Sequence, residues 1–115
     1  MIIVKNVKKD GKPEMEWEVY IGRYNAHYGL EPSVLASQFP LSEYTREESI
    51  EKYREWLRAE LADDNRVVIG EMNRLYLKWQ AWGKLSLFCW CAPLACHGDV
   101  IRQTLLDAKA RTLDV

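Results

Sequence analysis

Seven consecutive residues, Leu85-Ser86-Leu87-Phe88-Cys89-Trp90-Cys91, carry no charge and lie between Gly83 on one side and Pro93 on the other. A run this short and this apolar reads as a central strand buried on both faces. Such a strand needs neighbours to pair with and helices to cover it. With 115 residues, 48% hydrophobic and 29% charged, the chain has the length and composition for one such domain, spanning 1–115.

The remaining elements follow from local signals. Ile2 to Val7 is a β-branched run and reads as a first strand. Lys8 to Pro13 carries an Asp-Gly turn signal. Trp17 to Gly22 reads as a second strand. Arg23 to Tyr44 has no clean period and reads as a long ordered loop with a helical turn near Pro32 to Ser37. Thr45-Arg46-Glu47-Glu48 is a capping box. Ile50, Tyr53, Trp56, Leu57 and Leu61 follow at helical spacing. That helix stops around Asp63-Asp64-Asn65. Val68, Met72, Leu75, Tyr76 and Trp79 define a second helix with Gly83 as its C-terminal cap. Asp99 onward is the last helix, with a tail expected to fray from Arg111. The long helical connection between the second strand and the last makes those two parallel. The expected class is therefore α/β, a small mixed, partly parallel sheet flanked by about three helices, compact and Rossmann-like.

Charge and composition exclude several functions. Sixteen Lys and Arg against 17 Asp and Glu give a net charge of −1, which disfavours non-specific DNA binding. There is no apolar run near the length of a membrane span and no signal-peptide layout at the N-terminus. The three cysteines fall within eight residues, too close together for a secreted disulfide framework, so free thiols in a reducing cytoplasm are expected.

Parallel strands send Gly22-Arg23 and Cys91-Pro93 to the same sheet edge, where open α/β sheets bind ligands. The segment Cys89-Trp90-Cys91-Ala92-Pro93-Leu94-Ala95-Cys96-His97-Gly98-Asp99 supports three readings. In the first, Cys89, Cys91, Cys96 and His97 form a zinc set, although four ligands within nine residues is poor spacing for one. In the second, the turn binds an anion. Cys96 and His97 precede a helix N-terminus, where the helix field lowers a thiol pKa and attracts negative charge. Backbone N–H groups around Gly98 to Val100 face such a ligand, and Arg23 clamps it. If chemistry occurs there, Cys96 is the nucleophile and His97 its base. Asp99 competes for the same place, because its carboxylate also caps a helix. In the third reading the cysteines simply pack as small hydrophobes. A non-catalytic module that engages a host or phage protein is the rival class. It predicts an exposed apolar patch around Trp79 and Trp82.

Val19-Tyr20-Ile21-Gly22-Arg23, then Thr45-Arg46-Glu47-Glu48 with Tyr53-Arg54-Glu55-Trp56-Leu57, then Gly83-Lys84 and the segment Cys89 to Val100 resemble a family of small phage and bacterial proteins of unknown function. Its pattern runs V-Y-I-G-R, G-N-P-F, T-R-E-E-A-I-E-x-Y-R-x-W-L and G-K-x-L-x-C-W-C-x-P-x-x-C-H-G-D-V. The likeness covers about residues 19 to 105 and carries over to Gly22, Arg23, Cys91, Pro93, Cys96, His97, Gly98 and Asp99. In place of G-N-P-F this chain has Ser37-Gln38-Phe39-Pro40. The resemblance implies a small α/β fold and a phage or mobile-element origin, and it implies no reaction.

Overall fold

The apolar run forms the middle of the sheet. In the computed structural model, which describes residues 1–113, the strand Leu85–Cys89 has all five side chains buried. We number the elements β1 (Ile2–Asn6), α1 (Val7–Asp10), β2 (Glu18–Tyr20), α2 (Arg46–Ala62), α3 (Arg66–Trp82), β3 (Leu85–Cys89) and α4 (His97–Leu113). The strand order is β1-β3-β2, and both pairs are parallel. Ile2 pairs with Leu85 and Asn6 with Cys89, while Glu18 pairs with Ser86 and Tyr20 with Phe88.

The sheet is parallel throughout, where a mixed one was expected. Its α/β class and the crossover from β2 to β3 agree with the sequence. The Asp10-Gly11 signal does not make a hairpin. The chain winds through α1, a single helical turn capped by Asn6, and Gly11 then leaves at a positive φ of 82°. Residues 12–17 carry it past β3, so β1 and β2 flank the central strand from opposite sides.

The period-2 alternation of β3 sorts its two faces. Leu85, Leu87 and Cys89 join Ile2, Val19 and Ile21 in one core. Tyr53 and Leu57 of α2, Met72, Leu75 and Trp79 of α3, and Val100, Ile101 and Leu105 of α4 complete it. All three long helices thus cover one face. On the other face Phe88 packs with Val7 and Leu30, bordered by Tyr20, Tyr28 and Trp90.

The helix boundaries follow their caps. Thr45 and Glu48 form the reciprocal capping box that opens α2. Asn65 caps α3 through Val67 and Val68 N–H groups, and Gly83 closes it in the left-handed conformation. The last helix starts two residues earlier than expected, at His97, because Asp99 accepts from the Cys96 N–H at 2.9 Å and closes the turn before it. It runs on through Leu113, so Arg111 is helical. The end of the tail expected to fray lies outside the described residues. No helix among those residues is long and apolar enough to cross a membrane.

Candidate functional site

Residues 23–44 are irregular, yet hydrogen bonds hold them in place. Ser33 N–H donates to the Gly22 carbonyl at 2.9 Å. The buried Tyr53 hydroxyl donates to the Leu35 carbonyl at 2.6 Å, and Ser49 Oγ donates to the Phe39 carbonyl at 2.5 Å. Arg23 Nε donates to the Ser37 carbonyl at 2.9 Å. The loop therefore stands over the C-terminal ends of β2 and β3. Between them lies a cavity of about 360 Å³. Its lining comes from 20–25, 37–41, the first turns of α2 and the turn from Cys89 to His97.

Gly22, Arg23, Cys89, Cys91, Cys96 and His97 all line this cavity. Gly98 and Asp99 do not. Gly98 is buried beneath the start of α4. A Cβ there would stand 3.0 Å from Ile21 Cδ1 and 3.0 Å from Val4 Cγ1. Its bare backbone lets the helix seat closely on the sheet. Asp99 is the cap described above. Gly22 is equally constrained, because a Cβ would come within 2.4 Å of the Tyr20 hydroxyl. That hydroxyl cannot easily retreat. It donates to the Arg23 carbonyl at 2.6 Å and accepts from Trp90 Nε1 at 2.8 Å.

Two of the three sulfurs meet: Cys96 Sγ lies 3.3 Å from Cys89 Sγ, to which it donates. That bond and burial hold Cys96 as a thiol well above its ordinary pKa. Cys91 moves the other way, down to about 6, drawn chiefly by the neighbouring Cys96 thiol and secondarily by the Arg46 guanidinium. Cys89 moves in the same direction as Cys91, by accepting from Cys96. The thiols shifted toward acidity are thus Cys89 and Cys91, whereas the sequence pointed to Cys96.

His97 does not pair with Cys96. Its Nε2 lies 2.7 Å from the Ile21 carbonyl oxygen. A carbonyl only accepts, so Nε2 carries the proton of the neutral ring and Nδ1 is bare. Burial pushes the imidazole pKa below 6.5, and the Arg23 charge adds to this. The ring packs edge-on against Tyr53, with centroids 5.0 Å apart. Among the described residues, no group of three or more His, Cys, Asp or Glu side chains is placed to hold a metal ion. The zinc reading thus finds sulfurs together and an imidazole committed elsewhere.

Two contributors have no local signal in the sequence. Arg46 reads there as the second residue of a capping box. In the fold its Nη1 donates to the Ala95 carbonyl at 2.7 Å and its side chain lines the cavity. Asn6 reads as the end of a strand. It is buried, and its Nδ2 donates to the carbonyls of Trp90 and Ala92 at 3.1 and 3.0 Å, fixing the turn after β3. Of the apolar patch expected around Trp79 and Trp82, Trp79 is buried, while Trp82 stays half-exposed with one side packed on Trp17 at 5.3 Å.

Fold and site define a parallel-sheet α/β protein with a pocket at the strand ends whose largely apolar lining carries two arginines and three cysteines. The family described as Domain of unknown function (DUF4326) matches residues 4–107, and the chain belongs to it. No curated protein and no solved structure matches the chain.

Proposed function

We propose that the chain binds a small anionic, nucleotide-like ligand in the cavity at the ends of β2 and β3. The observation that carries this reading is the charge of the lining: Arg23 and Arg46 contribute to it and no carboxylate does. Two guanidiniums in a half-enclosed space suit a phosphate or carboxylate through charge-assisted, forked hydrogen bonds. Tyr24 and Trp90 in the same lining offer flat surfaces for a ring beside that anion. In this reading Arg23 and Arg46 hold the anion, and Gly22 keeps Tyr20 and Trp90 in place. Cys91, rather than Cys96, is the thiol that meets the ligand. The three free thiols suit a reducing cytoplasm, that of the host if the chain is phage-encoded.

Calorimetric titration with nucleoside mono-, di- and triphosphates and with pyrophosphate tests this. At least one of them should bind. Arg23→Ala and Arg46→Ala should each weaken that binding by about tenfold to a hundredfold, the usual cost of a lost hydrogen bond to a charged group. Both side chains also hold main-chain carbonyls, those of Ser37 and Ala95, so circular dichroism of each variant should first show the wild-type fold. Failure of every phosphate-bearing probe, or equal binding by both variants, overturns the reading.

A further inference from the structure

Anion binding leaves one contact unused. Cys89 closes β3 and Cys96 immediately precedes α4, so two rigid elements carry the two thiols. Their sulfurs are 3.3 Å apart, and both residues are buried while lining the cavity. Each sulfur is fixed by a backbone N–H, from Cys91 onto Cys89 Sγ at 3.4 Å and from Gly98 onto Cys96 Sγ at 3.3 Å. Packing as small hydrophobes accounts for burial, but it does not call for two sulfurs aimed at each other. A disulfide has a sulfur separation of ~2.05 Å, so a closing movement of ~1.2 Å shared by two side chains completes the bond.

We propose that Cys89 and Cys96 are an oxidisable dithiol pair, in which a small peroxide entering the cavity closes a disulfide between the end of β3 and the start of α4. Cys89 ionises and its sulfur attacks the peroxide. An S–O bond forms and the O–O bond breaks, giving a sulfenic acid and a hydroxide that takes up the shed proton. Cys96 sulfur then attacks Cys89 sulfur. The S–S bond forms, the S–O bond breaks, and the departing hydroxide takes the Cys96 proton. Two thiols lose two protons and two electrons, and hydrogen peroxide becomes two waters. Cys91 stays reduced. The bond ties together the ends of the turn that carries Trp90 and Ala95, so oxidation fixes part of the cavity lining. This pair does not depend on the ligand reading.

The test is stoichiometric hydrogen peroxide on the folded chain, followed by denaturation, alkylation and intact mass. Alkylatable thiols should fall from three to one in the wild type and from two to none in Cys91→Ala. Cys89→Ala and Cys96→Ala should keep both remaining thiols alkylatable, or show a trapped sulfenic acid, without an internal link. Cleavage after Trp90 separates Cys89 from Cys91 and Cys96, and the two fragments should stay joined until reduced. An internal link that disappears in Cys91→Ala overturns the proposal. So does oxidation to sulfinic acid without a link, or thiols that react only after a chelator is added. If Cys96→Ala does not fold, the wild type and Cys91→Ala still decide the matter.

Discussion

The two ends of the sheet are built differently. At the N-terminal end of β3 the fold is plugged. The terminal amine of Met1 donates to the Gly83 carbonyl at 3.0 Å, Leu85 N–H donates to Met1, and Ser86 N–H donates to Trp17. Trp17 lies against Trp82, with the Lys84 ammonium 4.0 Å from its ring centroid. At the C-terminal end β2 and β3 open into a cavity lined with thiols, arginines and an imidazole. The closed end is held by main-chain bonds and aromatic packing. The open end relies on side chains that reach far across the sequence. Stability at the site end is therefore concentrated in a few polar groups, and losing one of them should cost more than trimming the plug.

The largest expected effect is at Asn6. Replacing it with Ala strands the Trp90 and Ala92 carbonyls, and unfolding in urea should show a loss of about 2–4 kcal/mol. A loss under about 0.5 kcal/mol, typical of a neutral surface change, would put the turn's support elsewhere. Trp17→Ala should cost less, about 1–2 kcal/mol, from the ring pair and the lysine above it. It should leave nucleotide titrations unchanged. Altered ligand affinity in that variant would break the separation between the two ends.

The smallest effect concerns acid. His97 is held neutral, with a folded pKa below the 6.5 it recovers on unfolding. Below that value the unfolded chain binds more protons, so stability should fall as the pH drops through 6.5 and the pH window beneath it. The groups around the ring set the size of this effect: Arg23 deepens the depression, Asp99 opposes it, and Tyr53 packs against it without charge. Melting curves of His97→Gln should show a shallower slope between pH 7 and 5 than the wild type. Parallel slopes would mean that His97 titrates normally.

The sequence marks the plug and the edge of the site better than it marks the site's supports. The uncharged run over Leu85–Cys89, the capping box at Thr45 and the glycine cap at Gly83 are local signals, and each became the element it indicates. The parallel crossover, inferred from helices between strands, correctly brought Arg23 and Cys96 to one edge. The Asp10-Gly11 signal marks a real turn but could not place β2, because a turn motif does not say which strand lies beyond it. Arg46 and Asn6 escaped because their partners, Ala95 and the carbonyls of Trp90 and Ala92, lie 49 and more than 80 residues away. The acidity of Cys91 likewise needs Cys96 and Arg46 in place.

The side-chain bonds that anchor the loop over the cavity from Arg23, Tyr53 and Ser49 end on main-chain oxygens, those of Ser37, Leu35 and Phe39. Every amino acid supplies such an oxygen. The loop's position is thus set by Arg23, Ser49 and Tyr53, while its own side chains contribute to the chemistry of the pocket. Within segment 37–41, Ser37 and Phe39 still serve the frame, through the Phe39 N–H bond to Ser37 Oγ and the packing of Phe39 on the core, whereas exposed Leu41 on the cavity rim is the position where a new side chain changes the pocket without redesigning the protein beneath.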